Sequence, residues 1–172
     1  MNVTLYMAVS ADGFIARKDD STPWSDEEWA AFLTEVHSVG NMIIGRRTFE
    51  SIVERSSSFE EYGSAVLVVV SESMMRDSKA DSNVLVVDSP EAALRLLDER
   101  GFSCSLLAGG ATLNAAFLKS GLVDTLVLDV EPRVLGSGLR LFSGEISERG
   151  LRLDEVRKLS GQSVQLRYSV VK

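Results

Sequence analysis

Apolar Val3, Leu5, Met7 and Val9 alternate with Thr4, Tyr6 and Ala8, and this period of two predicts a first strand, more apolar on one face, ending at Ser10. Asp12-Gly13 supplies a turn, and residues 17–23 are polar without periodicity, a loop of the length used for mobile covers over active sites. The pattern then becomes helical. Ser25 suits an N-cap, Asp26, Glu27 and Glu28 fill the first turn, Trp29, Phe32, Leu33 and Val36 share a face, and Gly40 closes the segment. Unbroken apolar runs at 41–45 and 65–70 read as buried strands, the second a central one, with a helix over 46–53 between them. Residues 84–87 form another strand, and Ser89-Pro90-Glu91 opens a helix that closes at Gly101. Residues 105–108 run into Gly109-Gly110 and a helix to about Ser120, and 125–130 form a strand that Pro132 ends. Leu151, Leu153, Val164, Leu166, Tyr168 and Val170 outline an antiparallel hairpin turning at Ser160-Gly161.

This order predicts an α/β fold: a mostly parallel central sheet, helices on both faces, and a C-terminal antiparallel hairpin. At 172 residues the chain fits a single domain spanning 1–172. Ligands of such sheets sit at the carboxyl ends of the strands. Two junctions have that form, 41–45 into Arg46-Arg47-Thr48, and 105–108 into Gly109-Gly110. A helix start offers unpaired N–H groups and partial positive charge, and Gly109 and Gly110 leave no side chain between that charge and an anion. Close strand-to-helix packing would explain the same glycines. Two such junctions facing one ligand imply several phosphates, with Arg46 as a forked donor suited to one of them.

Composition narrows the classes. A formal charge of −7 with scattered basic residues disfavours nucleic acid. No apolar run approaches the roughly 18 residues that would span a membrane. The N-terminal segment lacks the pattern of a secretion signal, so a cytoplasmic address is expected. Cys104 and His37 are the single residues of their types, too few for a cysteine-histidine metal site; Cys104 is expected in the core and His37 near a helix end. No metal is expected, and Met74-Met75 receive no role. Gly136-Ser-Gly-Leu-Arg-Leu141 lacks the third glycine of the usual dinucleotide fingerprint and opens no helix.

Residues 7–16 (Met-Ala-Val-Ser-Ala-Asp-Gly-Phe-Ile-Ala), Pro23-Trp24, residues 43–52 (Ile-Ile-Gly-Arg-Arg-Thr-Phe-Glu-Ser-Ile), Ala108-Gly-Gly110, and residues 121–126 with Pro132 and Leu135-Gly-Ser-Gly138 resemble the dihydrofolate reductase superfamily. The last block is closest to its riboflavin-biosynthesis branch, the carboxy-terminal reductase domain of the bifunctional deaminase-reductase and its stand-alone relatives. The resemblance covers nearly the whole chain. It implies a dihydrofolate reductase-like three-layer fold and a reductase passing hydride from NADPH to a pyrimidine or pterin-like ring, with 5-amino-6-(5-phosphoribosylamino)uracil reduction as the nearest family reaction. Carried over by position, Ala8, Ile15 and Ala16 line the nicotinamide pocket. Gly45, Arg46 and Thr48 hold the adenosine side and pyrophosphate, Ser71 approaches the ribose, and Gly109, Gly110, Ala111 and Thr112 complete the cradle. Trp24, Phe32 and Ile52 would surround the substrate ring. The resemblance also implies a homodimer formed through the later strands, where Leu126, Leu128 and Val130 offer an apolar face.

The family's proton donor is a carboxylate on the first helix. Glu28 matches its spacing to Trp29 and Phe32, one residue closer to Trp24 than is typical, and Asp26 is the alternative. Ser25-Asp-Glu-Glu28 also reads as a capping box, in which Glu28 bonds back to the Ser25 amide. The substrate half matches neither branch. Glu60 and Glu61 stand where a folate-binding arginine would be expected, and Ala108 replaces a glutamate of the riboflavin branch. Acidic Glu72 beside Ser71 predicts a reduced preference for NADPH over NADH. A dihydrofolate reductase, a non-catalytic nucleotide-binding protein on the same scaffold, and a purely structural domain are the alternatives.

Overall fold

The computed structural model describes residues 1–55, 59–74, 83–159 and 161–172. Eight strands form one sheet: β1 (Asn2–Ser10), β3 (Asn41–Gly45), β4 (Val66–Val70), β5 (Val84–Val87), β6 (Cys104–Leu107), β7 (Thr125–Glu131), β9 (Leu151–Lys158) and β10 (Val164–Val170). Their order is β5-β4-β3-β6-β1-β7-β10-β9. The first six in that order run parallel, and β10 pairs antiparallel with both β7 and β9. A two-stranded sheet joins β2 (Phe14–Ala16) to β8 (Leu139–Arg140). The four helices are α1 (Asp26–Val39), α2 (Arg46–Arg55), α3 (Pro90–Glu99) and α4 (Ala111–Lys119).

Two apolar cores lie on opposite faces of the sheet. Leu5, Ile43, Val68 and Leu107 face Leu97 of α3 and Phe117 of α4. Tyr6, Met42, Ile44 and Val127 face Val36 of α1 and Ile52 of α2. This is the expected three-layer arrangement, and the terminal hairpin is present, although Ser160 of its predicted turn lies outside the described residues.

Several expectations change. The 66–70 strand is flanked on both sides but is not at the centre; it lies next to edge strand β5, and the sheet's middle is β6 and β1. Both faces of β1 are covered, so its alternation reflects side-chain size rather than exposure. Cys104 is exposed, because β6 starts at the sheet's margin before it enters the core at Ser105. Trp29 shares the apolar stripe of α1 but stays 36% exposed at a cavity edge. The long-range pairing of β2 with β8 carries no local signal, since two- and three-residue strands have no measurable period.

Candidate active site

β1, β3, β4 and β6 end along one side of the sheet, and a cleft of about 680 Å³ opens there. Its floor includes Ala8, Ile44, Gly45 and Ala108. At one end α2 and α4 begin. The Gly45 N–H donates to the Gly109 carbonyl at 2.7 Å, fastening the ends of β3 and β6 to each other. The Gly109–Gly110 peptide is cis, and Gly109 sits at φ +91°, where a side chain would be strained and would meet the Met7 sulfur at 3.2 Å. Gly110 is the N-cap of α4 and no side chain caps that helix. A Cβ at Gly110 would approach Thr48 Oγ1 at 3.4 Å. Bare N–H groups, helix dipoles and the space left by glycine fit a pyrophosphate, with Arg46, Thr48, Ala111 and Thr112 around it.

Charges border the same end. Arg46 pairs with Glu50 at 2.7 Å across one helical turn. Arg47 pairs with Asp20, tying the 17–23 loop to α2. Ser71, Glu72 and Asp88 line the wall beyond Arg46.

The other end is built from side chains. Glu28 is 4% exposed, lines the cleft, and also lines an adjoining annex of about 460 Å³ with Trp24, Asp26, Glu61 and Tyr62. Trp29 and Phe32 stand beside it with ring centroids 5.3 Å apart. Beneath Glu28 lies a buried polar layer. Parallel register sets Tyr6, Ala8 and Ser10 of β1 opposite Val127, Asp129 and Glu131 of β7, all facing α1. The Tyr6 hydroxyl donates to Asp129, and Gln165 of β10 stands opposite Asp129. Burial, then the charges of Asp129 and Glu131, push the Glu28 carboxyl up to about pH 8. Burial also raises Asp129, and burial followed by the nearby Asp129 charge raises the Tyr6 phenol.

Half of the predicted capping box forms. Ser25 Oγ accepts from the Glu28 N–H at 3.2 Å, but the Ser25 N–H donates to Glu131 Oε2 at 3.0 Å. Ser25 Oγ and Ser163 Oγ also donate to Glu131 Oε1. A carboxylate of the sheet has taken the bond expected of Glu28, and the Glu28 carboxyl is turned to the cleft instead.

Ala8, Ile15, Ala16, Gly45, Arg46, Thr48, Ser71, Gly110, Ala111 and Thr112 all line the cleft, as do Trp24, Glu28, Phe32 and Ile52. Gly109 is buried behind it, acting through its carbonyl, and exposed Asp26 lines the annex alone. Sequence reasoning missed Tyr6, Asp129, Glu131, Ser163 and Gln165. The two acids alternate with Leu128 and Val130, a pattern identical to that of a solvent-facing strand edge, so nothing local marks them as buried. Leu126 is instead packed in the α3/α4 core, with Leu128 against it. No set of three histidine, cysteine or acidic residues among the described ones is arranged to hold a metal ion. No described helix is long and apolar enough to cross a membrane.

Sheet order, helices on both faces and a cleft at the strand ends define a dihydrofolate reductase-like α/β protein. The chain belongs to the RibD C-terminal domain family, whose model matches residues 1–165. It is 35% identical over 170 residues, 95% of each chain, to the uncharacterized Bacillus subtilis protein YwjB. Its fold matches a Shewanella protein named for riboflavin biosynthesis with a TM-score of 0.82 at 23% identity, over 100% of both chains. It also matches a Thermotoga maritima diaminohydroxyphosphoribosylaminopyrimidine deaminase/5-amino-6-(5-phosphoribosylamino)uracil reductase, with a TM-score of 0.74 at 18% identity, over 98% of this chain and 56% of that one.

Proposed function

We propose that the chain is an NADPH-dependent reductase acting on a pyrimidine or pterin-like ring. The observation that carries this reading is the joining, in one cleft, of an anion cradle at the starts of α2 and α4 to a buried carboxyl group at Glu28. When bound, the nicotinamide supplies the hydride. Gly45, Gly110 and the first turns of α2 and α4 would hold its phosphates, and Ala8, Ile15 and Ala16 would bound its ring. Trp29 and Phe32 offer flat apolar contact to the acceptor ring, and Ile52 closes the side towards α2. Glu28 holds a proton near neutral pH and is placed to give it to a substrate nitrogen as the carbon double-bonded to it is reduced. Tyr6 and Asp129 fix the layer against which Glu28 rests.

The reaction named for the Thermotoga relative makes aminouracils the first acceptors to test, and dihydropterins the second. NADPH and NADH are titrated by thermal shift, and oxidation of the reduced cofactor is followed with each ring. Cofactor-linked reduction of one ring class is the expected result. Cofactor binding without turnover on any ring would instead favour a non-catalytic nucleotide-binding protein.

We also propose a homodimer in the cytoplasm. Leu151, Leu153 and Val156 of edge strand β9 are 45%, 54% and 56% exposed, an apolar edge that a second copy would cover. A concentration-independent monomer mass in sedimentation would reject it.

A further inference from the structure

Acid surrounds the ring end of the cleft. Glu28 stands in the wall between cleft and annex, Asp26 and Glu61 line the annex, and Asp129 and Glu131 lie in the buried layer beneath. Among the described residues no lysine or arginine lines the annex. The arginines of the cleft, Arg46 and Arg47, stand at the start of α2 and are paired with Glu50 and Asp20. Glu28 is the telling residue. It is 4% exposed, lines both cavities, and its carboxyl forms no hydrogen bond with the described residues, so it is left to be satisfied by water or by a ligand that enters the cleft.

We infer that this site takes a flat ring that is neutral or positively charged and carries no phosphate or carboxylate tail. The inference rests on the reductase reading for the placement of the ring beside Glu28. A tail running from that ring into the annex would pass Asp26 and Glu61 with no cation among the described residues to receive it, and the net charge of −7 adds a repulsive field. The phosphoribosyl group of the Thermotoga relative's named substrate and the glutamate of a folate meet the same obstacle. The site shares the ring with those substrates and excludes their tails.

The chemistry favours the opposite charge. Reduction of a C=N bond, in the ring of a dihydropterin or in the open-chain imine of a ribosylaminouracil, adds one hydride, taken from the reduced nicotinamide, to carbon and one proton to nitrogen. A C–N single bond and oxidised cofactor are left. Protonation of the nitrogen by Glu28 creates a cation over Asp129 and Glu131, whose field stabilises it until hydride arrives. Water in the annex then returns the proton to Glu28. A ring already cationic would enter the same field without that step.

Two matched pairs test the inference: 5-amino-6-ribosylaminouracil against its 5′-phosphate, and 7,8-dihydropterin against 7,8-dihydrofolate. Binding of each is measured with NADP+ present, and reduction is measured separately with NADPH. The untailed member of each pair should bind about tenfold tighter or more, and Glu61→Lys should narrow that gap at least about threefold. Glu61→Gln gives the same reading with a smaller change should the lysine variant not fold. Equal or tighter binding of the tailed members, no binding of either untailed ring, or a gap unmoved in the folded Glu61 variants would overturn it. Untailed rings that bind first and are not reduced would leave this inference standing and overturn the reductase reading alone.

Discussion

At the end of the cleft proposed for the cofactor the surface offered to a ligand is backbone: Gly45, Gly110 and the opening turns of α2 and α4. At the ring end it is side chain: Glu28, Trp29 and Phe32, resting on Tyr6, Asp129 and Glu131. The first end takes its positive field from peptide dipoles, which do not titrate, and its shape from atoms that are missing. The second takes its character from ionisable groups whose charge depends on burial and on one another. Added volume should therefore damage the first end, and a changed proton count the second.

The largest effect expected is from Gly110→Val. The backbone there is extended, so the variant can fold, but its methyl groups fill the approach to the α4 amides. Affinity for NADPH should fall on the order of a thousandfold, ~4 kcal/mol, by direct titration. Unchanged affinity in a folded variant would show that the cradle holds something else.

Glu28→Gln should strike the other end only. The hydride-transfer step, followed in a single turnover, should slow on the order of a hundredfold, while NADPH affinity stays near that of the native protein. Asp26→Asn is the control, and exposed Asp26 should matter much less. If Asp26→Asn is the slow variant and Glu28→Gln is not, the donor is Asp26; if neither is slow, the proton comes from solvent or substrate.

Stability should carry the mark of the same carboxyl group. Its pKa rises on folding from 4.5 to about 8, so between those values the folded chain binds more protons than the unfolded one. Stability contributed by this group is therefore full below pH 4.5 and is lost as pH rises towards 8, by no more than about 1.4 kcal/mol per pH unit. Denaturant titrations across that range should show the fall, and Glu28→Gln should flatten it. An equal slope in both proteins would mean that Glu28 is not the proton-binding group.

The smallest effect returns to the cofactor end, where Glu72 and Asp88 line the wall beyond Arg46. Preference for NADPH over NADH should stay below roughly a thousandfold, and Glu72→Gln should raise it by a factor of five to ten, ~1 kcal/mol. A native preference above that limit would place the Glu72 charge away from the 2′-phosphate.

The same contrast explains what could be read in the sequence. Gly45, Arg46, Thr48 and Gly109–Thr112 each occupy a short strand-to-helix junction, where residue type and local conformation suffice to suggest an anion site. The alternating strands and stripes likewise gave the layers and the terminal hairpin. The acid layer depends on contacts between residues far apart in the chain, Tyr6 with Asp129 and Ser25 with Glu131. Such pairs exist only once β1, β7 and β10 lie side by side. Even the capping box misled for this reason: Ser25-x-x-Glu28 is a sound local pattern, and a residue 106 positions away displaced half of it.

That displacement bears on the order in which the chain can assemble. The opening turn of α1 is held by Glu131 of β7, itself held by Ser163 next to β10, so a segment made early waits for two made late. During synthesis α1 would emerge with Ser25 as its cap and with Glu28 free to fold back on the Ser25 amide, in the local box that the finished protein lacks. Docking of β7 would then trade one carboxylate for another at the Ser25 amide and leave Glu28 turned inward. In a pulse-labelled refolding experiment the Ser25 amide should become protected together with β7 and β10, later than the middle of α1. The residue best placed to donate a proton would thus acquire its position among the last steps of folding.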